Sequence, residues 1–443
     1  MLQTGTKPAA KRNRGTNGDA NKLSPADRAI HDWYRFVLSF PPHLVQDYLK
    51  RFQVEEDQTV LDPFCGTGTT VVECKKRGIS AIGVEAHPMA HLAGLVKTDW
   101  TVDPDELLEH ANIIARETAD ELARDQIDDD KDCATRVDLE KLKHLSVECA
   151  GLLLSRSISP LPLHKTLVLL GRIQARSGSQ CHKYELLALA KALVSVIGNL
   201  HFGPEVGVGP PKRDVPVLSS WLRNIELMAE DLVKFGPLWS VPSSVIRADA
   251  RELVSVIRSQ SVDAVITSPP YPNEKDYTRT TRLESVILGL IRTKGELKAF
   301  KRTLLRSNTR NVYKGDSDDQ WIRKNRDIRE IADRIEARRV ALNKTSGFER
   351  LYPRVTKLYF GGMARHLAGL RDILKPGARL AYVVGDQASY LRVMIRTGSL
   401  LADIASELGY EVLGMDLFRT RLATATKEQL REEVLLLRWP GKE

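Results

Sequence analysis

Residues 60–70 read Val-Leu-Asp-Pro-Phe-Cys-Gly-Thr-Gly-Thr-Thr. A short apolar strand runs here into a glycine-rich turn, and a helix-compatible stretch follows at 71–77. A second apolar strand at 80–84 then ends on Glu85. This order is typical of a βαβ unit whose first turn approaches a ligand closely, with an acid about 20 residues on that holds ribose hydroxyls.

The glycine turn differs from the common phosphate-binding loops. It has no Gly-Lys-Ser/Thr ending, and it lacks the third glycine of the dinucleotide fingerprint. A ligand that carries a ribose but needs no phosphate contact fits better, and S-adenosylmethionine is such a ligand.

A second motif, Thr-Ser-Pro-Pro-Tyr at 267–271, follows the apolar run 262–266. The two prolines fix φ and supply no N–H, so the chain cannot continue there as a central strand. One interpretation is a simple stop from strand to loop. The other is a rigid shelf of carbonyl groups beside an aromatic ring, which can hold a planar group that bears an NH2.

Taken together, residues 62–70 and 267–271 closely resemble the cofactor and catalytic motifs of DNA amino-methyltransferases, which methylate N4 of cytosine or N6 of adenine. Residues 30–45 resemble the family's segment over the methionine end of the cofactor, and 374–386 resemble its fifth strand. The likeness covers roughly half of the chain. It implies an α/β, Rossmann-like class I methyltransferase fold, with a seven-stranded mostly parallel sheet, a closing antiparallel hairpin and a helical insertion.

The resemblance also implies roles for individual residues. Asp62 and the glycine turn would meet the methionine end of S-adenosylmethionine, Glu85 the ribose and Asp249 the adenine. The implied catalytic residues are Ser268, Pro269, Pro270 and Tyr271, and the implied cofactor-binding residues are Phe40, Pro41, Asp62, Pro63, Phe64, Gly66, Gly68, Thr69, Glu85, Asp249 and Ala250. The alternative for a lone acid at a strand end is a helix cap.

Composition limits the class of protein. The chain has 443 residues and 42% hydrophobic content, and no apolar run approaches the ~20 residues that span a bilayer. We expect a soluble, cytoplasmic protein without a metal site. None of the five cysteines follows a proline, as the nucleophile of cytosine-C5 methylation does, so Cys65 is interpreted as packing. His87 is likewise interpreted as packing.

The net charge of +9 and the pI of 9.2 predict a polyanionic partner, which the resemblance implies is double-stranded DNA. The span 292–357 holds 19 Lys/Arg against 9 Asp/Glu. Its candidate DNA contacts are Arg302, Arg306, Arg310, Arg323, Lys324, Arg326 and Arg329, among Tyr313 and Trp321. A solvated charged helix at 327–340 is the alternative.

The motif positions divide the chain into segments. A disordered basic tail is predicted at 1–22, a catalytic domain at 23–100, 242–291 and 361–443, a helical insertion at 101–241 and a basic recognition segment at 292–360. Strands are predicted at 58–62, 80–84, 244–248, 262–267, 378–384, 410–416 and 432–438. Helices are predicted in the insertion at 103–125, 138–154, 183–200 and 219–235.

The expected activity is site-specific DNA methylation within a restriction-modification system, with a cognate restriction endonuclease as a candidate partner. Within the family, Ser268 in the first shelf position favours cytosine N4 over adenine N6. Three alternatives stay open: an adenine-N6 enzyme, an RNA methyltransferase that acts on guanine N2, and a catalytically silent DNA-binding cofactor sensor. The oligomeric state is left undetermined.

Overall fold

The computed structural model describes residues 23–36, 39–134, 137–202, 206–273, 275–422 and 428–442. The predicted basic tail at 1–22 lies outside the described residues. The strands are β1 (Thr59–Asp62), β2 (Ser80–Val84), β3 (Leu200–Phe202), β4 (Val206–Val208), β5 (Ser243–Ile246), β6 (Val262–Thr267), β7 (Leu374–Gly385), β8 (Glu411–Leu422) and β9 (Gln429–Arg438). The helices are α1 (Pro42–Phe52), α2 (Thr69–Lys75), α3 (Pro88–Thr98), α4 (Pro104–Arg124), α5 (Val147–Ala150), α6 (Pro160–Gln174), α7 (His182–Ala192), α8 (Val217–Phe235), α9 (Tyr277–Thr280), α10 (Arg282–Ile287), α11 (Lys294–Arg302), α12 (Arg326–Ala341), α13 (Tyr352–Leu370) and α14 (Thr397–Glu407).

Seven strands form one twisted sheet in the order β5-β2-β1-β6-β7-β9-β8. The strands from β5 to β7 pair in parallel, and β9 runs antiparallel to both of its neighbours. The predicted Rossmann-like sheet with its closing hairpin is therefore confirmed, and β3 and β4 form a separate small hairpin.

The strand order reverses beside β1. From β1 the chain builds outward through β2 to β5, then returns to β6 on the other side of β1. Open α/β sheets bind ligands outside the carboxyl ends of the strands at such a reversal. The two sequence motifs follow β1 and β6, so both lie at this point of the sheet.

Alternating side chains of the central strands bury both faces of the sheet. In β6, Val265 packs with helices α12 to α14, while Ala264 and Ile266 pack with α1 and α2 on the other face. Such near-continuous apolar strands are expected where helices cover both faces of a parallel sheet.

A third core is mostly helical and is built by the insertion. It joins α4, α6, α7 and α8 to residues of α3 and to Trp33 and Tyr34 of the N-terminal segment. The insertion therefore packs into the catalytic domain through a shared core. The predicted boundary between 360 and 361 falls inside α13.

One helix prediction in the insertion was wrong, and one helix was not predicted. Residues 138–154 form a short 3-10 turn and α5, because the Lys143 N–H donates to Nδ1 of His164 (2.9 Å) instead of continuing a helix. Helix α6 was missed because its first turn contains Pro160 and Pro162, and proline is well tolerated there. No described helix has the length and apolar character needed to cross a membrane.

Candidate active site

A cavity of about 500 Å³ opens at the carboxyl ends of the central strands. Its lining combines the turn after β1, the chain after β2 and β5, the shelf after β6, residues of 303–311 and the β8–β9 hairpin, together with Phe36, Ser39 and Phe40. The predicted residues in the lining are Phe40, Pro63, Phe64, Gly66, Thr69, Glu85, Asp249, Ala250, Ser268, Pro269, Pro270 and Tyr271. Two motifs about 200 residues apart in sequence thus share one cavity.

Three predicted cofactor residues lie outside this lining. Pro41 is buried before the first residue of α1, and Gly68 precedes α2 with a left-handed φ of +87°. A Cβ at Gly68 would lie 3.2 Å from the Cα of Gly94, so the turn approaches α3 closely. Both residues shape the walls of the site from behind.

Asp62 is the third, and it is fully buried beneath the turn. Its Oδ1 accepts hydrogen bonds from Thr267 Oγ1 (2.6 Å) and from the Phe64 N–H (3.2 Å). Burial raises its pKa to about 6. Because Thr267 begins the second motif, this bond ties the two motifs together at their base.

The glycine turn is fastened to the end of β2 by Glu85. The Gly66 N–H donates to Oε2 of Glu85 (2.8 Å), and the His87 N–H donates to Oε1 (2.7 Å). Burial raises the pKa of Glu85 to about 7. The carboxylate is therefore fixed in the cavity wall with acceptor capacity left over.

Asp249, just after β5, has a partner that the sequence did not indicate. The Arg251 guanidinium donates to both of its carboxylate oxygens, at 2.9 Å to Oδ1 and 2.6 Å to Oδ2. Arg251 also forms an ion pair with the buried Asp318 in the basic segment. The acid at the predicted adenine site is thereby connected to residues 292–360.

The shelf itself has a fixed geometry. Ser268 Oγ donates to the Val383 carbonyl of β7 at 3.2 Å. A Cβ at Gly385 would lie 2.9 Å from the Tyr271 ring and 3.2 Å from Glu432, so the ring is packed against bare backbone. Burial and the Glu432 carboxylate raise the pKa of Tyr271, so its hydroxyl stays protonated.

The chain that follows the shelf is tied to the basic segment. Asn308 Nδ2 donates to the Lys275 carbonyl (3.1 Å), and Lys301 pairs with Asp276 at 3.0 Å. The shelf and the lining residues from 303 to 311 are therefore positioned together.

Two residues have the packing roles that were predicted. His87 caps α3, because its Nδ1 accepts from the N–H groups of Met89 and Ala90, and its Nε2 donates to Thr281 Oγ1 at 2.8 Å. Burial lowers the pKa of His87 to about 3, which fits a neutral ring. Cys65 packs against Gly83, and burial raises the pKa of its thiol.

The basic segment divides into structural and exposed charges. Arg306 is only 4% exposed and pairs with Asp316 at 2.8 Å, so its prediction as a DNA contact was wrong. Because the Arg306 guanidinium is buried and paired inside the protein, it cannot contact a DNA phosphate. Arg302 and Arg310 are exposed beside the lining residues 303–311, and Arg323, Lys324, Arg326 and Arg329 are exposed around the start of α12.

Several lining residues had no signal in the sequence. They come from 303–311, from the loop after β7 and from the β8–β9 hairpin, and include Asn311, Gln387, Phe418, Arg419 and Glu432. Arg419 holds Glu432 through two hydrogen bonds, of 2.6 and 3.0 Å. An acid and a base facing each other in register across a hairpin would have been the available clue.

Comparison with known proteins agrees with the geometry. Residues 8–93 match the family model for N6/N4 methyltransferases, described as DNA methylase. The chain is 27% identical to the Type II methyltransferase M.BsoBI of Geobacillus stearothermophilus over 297 residues, covering 60% of this chain and 53% of that relative. It is 24% identical to the Type II methyltransferase M.AvaI of Nostoc sp. over 426 residues, covering 89% of this chain and 80% of that relative.

The match with M.BsoBI therefore spans about half of that protein's length. Among solved structures, the chain is similar to TrmN from Thermus thermophilus, with 12% identity, coverage of 93% of this chain and 52% of that one, and a TM-score of 0.29. The chain is thus similar to N6/N4-type DNA methylases over residues 8–93, and to Type II methyltransferases over 60% to 89% of its length.

Proposed function

We propose that this protein transfers a methyl group from S-adenosylmethionine to the exocyclic amine of a base in double-stranded DNA, with cytosine N4 as the preferred target. The observation that carries the proposal is the shared cavity of the glycine turn and the shelf, tied together by the bond from Thr267 to Asp62. A cofactor site and an amine-holding shelf at one strand reversal are what methyl transfer to an amine needs.

The residues of the turn side fit S-adenosylmethionine. Glu85 and Asp249 offer carboxylate acceptors at the ends of neighbouring strands, as a ribose diol and an adenine amine require. Phe64, Val84 and Ala86 add apolar wall. When bound, the cofactor supplies an electrophilic methyl group on a sulfonium.

On the shelf side, the chain's task is to orient a weak nucleophile. An exocyclic amine has its lone pair delocalised into the ring. If Ser268 Oγ and the Pro269 carbonyl accept its two N–H bonds, the nitrogen is drawn toward sp3 geometry and its lone pair is aimed at the methyl group. Ser268 Oγ can accept from the amine while its O–H still donates to the Val383 carbonyl.

Bond changes in this reaction balance without an enzyme-bound intermediate. The nitrogen–methyl bond forms as the sulfur–methyl bond breaks, and the cationic nitrogen then loses its proton to water. Catalysis rests on positioning and electrostatics. Tyr271 stacks on the base, which leaves the duplex to reach the cavity.

DNA is the proposed substrate because the exposed charges of the basic segment lie beside the lining residues 303–311. The relatives' designation as Type II methyltransferases supports a place in a restriction-modification system, with a cognate endonuclease as a partner. Adenine N6 is the alternative target.

The test is transfer of labelled methyl groups to unmethylated DNA, with the modified base mapped by sequencing. We expect Ser268→Ala and Tyr271→Ala to lose at least about 100-fold in kcat/KM while cofactor binding persists, since both act on the target base. Ser406→Ala on the exposed surface of α14 and Trp239→Ala, which is 60% exposed, are the controls. Cofactor binding without transfer to any DNA contradicts the proposal.

A further inference from the structure

Gln387 lines the target side of the cavity on a fixed backbone. It follows β7 by two residues, and its N–H and carbonyl bond to those of Ile395 at 3.0 and 2.7 Å. The side chain is 3% exposed. Gly385, two residues earlier, is the residue against which the Tyr271 ring packs. Gln387 and Tyr271 thus line the same cavity.

This amide has an unmet hydrogen-bonding requirement. Across the described ranges, no group accepts a hydrogen bond from its buried Nε2, which carries two N–H bonds. A buried donor without a partner costs free energy, because water no longer solvates it. Such a group in a cavity wall points to a ligand that brings acceptors.

A second buried amide in the same wall has the opposite requirement. Asn311 is 3% exposed, and its Nδ2 donates to the Leu305 carbonyl at 3.3 Å. That bond fixes the orientation of the amide and leaves Oδ1 without a partner among the described residues. The cavity therefore calls for a polar ligand that carries both acceptors and N–H groups.

Cytosine meets the requirement at Gln387 more fully than adenine does. Its O2 is an acceptor beside N3, so an N–H bond aimed at this edge finds a partner at the O2 position. Adenine offers N1 on the matching edge, but a C–H group stands where cytosine carries O2, so an N–H bond aimed there finds no acceptor. A donor aimed at the O2 position is thus selective for the pyrimidine.

We propose that Gln387 is a specificity-determining residue that donates an N–H bond to O2 of the target cytosine. This inference rests on the proposed function and adds a base-reading contact that is independent of Ser268.

The test uses the full chain and the DNA site mapped for the wild type. Gln387→Glu keeps the size of the side chain and removes both donors. We expect kcat/KM for the target cytosine to fall about tenfold, as when a specific contact to a base edge is removed. We also expect the preference for cytosine over adenine, placed at the same position of the duplex, to shrink by a similar factor.

A pH profile distinguishes a direct contact between Gln387 and the base from a purely structural role of this side chain. At low pH the introduced carboxyl becomes protonated and regains one donor, so the ratio of variant to wild-type activity should rise as the pH falls. Gln174→Glu, at the exposed end of α6, is the matched control. It should leave kcat/KM, the preference for cytosine over adenine and the pH dependence of the activity unchanged.

Four outcomes overturn the inference. Unchanged kcat/KM and base preference in Gln387→Glu remove the reading role, and a weakened Kd for S-adenosylmethionine would assign the amide to the cofactor instead. A wild type that methylates adenine keeps amine methylation but refutes the cytosine contact. If the wild type methylates no DNA, the proposed function fails first and Gln387 has no base to read.

Discussion

The two halves of the cavity are built in different ways. The cofactor half uses consecutive residues at strand ends, where Gly66, Glu85 and His87 bond to one another over a short stretch of chain. The target half is assembled from the shelf, the 303–311 region, the loop after β7 and the hairpin. A ligand common to a family can be held by local motifs, whereas a particular base needs contacts from distant segments.

The halves also differ in what holds their polar groups. Glu85 and Asp249 already receive hydrogen bonds from His87 and Arg251, each two residues further along the chain, which fix them before any ligand arrives. Gln387 Nε2 and Asn311 Oδ1 have no partner among the described residues. The cofactor half is preorganised by its own bonds, and the target half is completed by its substrate.

The largest effect in this comparison is expected for Gly385→Ala, which should disrupt the target half of the cavity. The new Cβ would lie 2.9 Å from the Tyr271 ring, so the ring must move off the position where it stacks on the base. We expect a loss of about 100-fold in kcat/KM, as for a displacement of about 1 Å at a reacting site. Steady-state methyl transfer and the Kd for S-adenosylmethionine are the measurements.

The cofactor Kd should stay the same in Gly385→Ala, since the turn side is untouched. Gly369→Ala in α13 is the control, because no described atom lies within 4 Å of its added Cβ. A loss of cofactor affinity in Gly385→Ala would show that the halves are not separable at this strand.

In the cofactor half, Glu85 should make the affinity for S-adenosylmethionine depend on pH. Its pKa is raised to about 7 by burial, so below that pH the carboxyl binds a proton that competes with the ribose hydroxyls. Cofactor affinity should therefore fall as the pH falls, by about tenfold at pH 6 relative to its high-pH limit. Calorimetric titration between pH 5.5 and 8.5 measures it.

Glu85→Gln should bind the cofactor more weakly at pH 8 and lose this pH dependence, because the amide does not titrate. An unchanged slope in the variant would assign the titration to another group. Asp62, with a pKa of about 6, is the next candidate.

The smallest effect is expected outside the cavity, at the surface charges. Replacing Arg302, Arg310 and Lys314 with Gln should lower the salt dependence of DNA binding by about 0.9 in log–log slope for each phosphate that the protein no longer neutralises. All three are exposed in the basic segment. Fluorescence anisotropy over a salt series gives the slope.

The matched control removes the same number of charges from the insertion, at the exposed Arg116, Arg124 and Arg223. If this second set lowers the slope and the first does not, recognition belongs to the insertion at 101–241. Both variants should keep their cofactor Kd, since neither set lines the cavity.

The sequence by itself determined the sheet and most of the cofactor half of the cavity. Apolar runs that end in Pro, Gly or an acid gave all seven strands of the sheet within a few residues, except that β7 and β8 extend further than predicted. Twelve of the predicted site residues line one cavity, because the carboxyl ends of parallel strands meet at one edge.

Only the tertiary structure decided which charges are free and which polar groups lack partners. The sequence cannot tell that Asp316 neutralises Arg306, that Arg251 spans Asp249 and Asp318, or that the buried Gln387 lines the same cavity as Tyr271. Strand ends and turns follow from local backbone chemistry, which a sequence records directly. Burial and pairing depend on segments that are far apart in the chain and meet only in the fold.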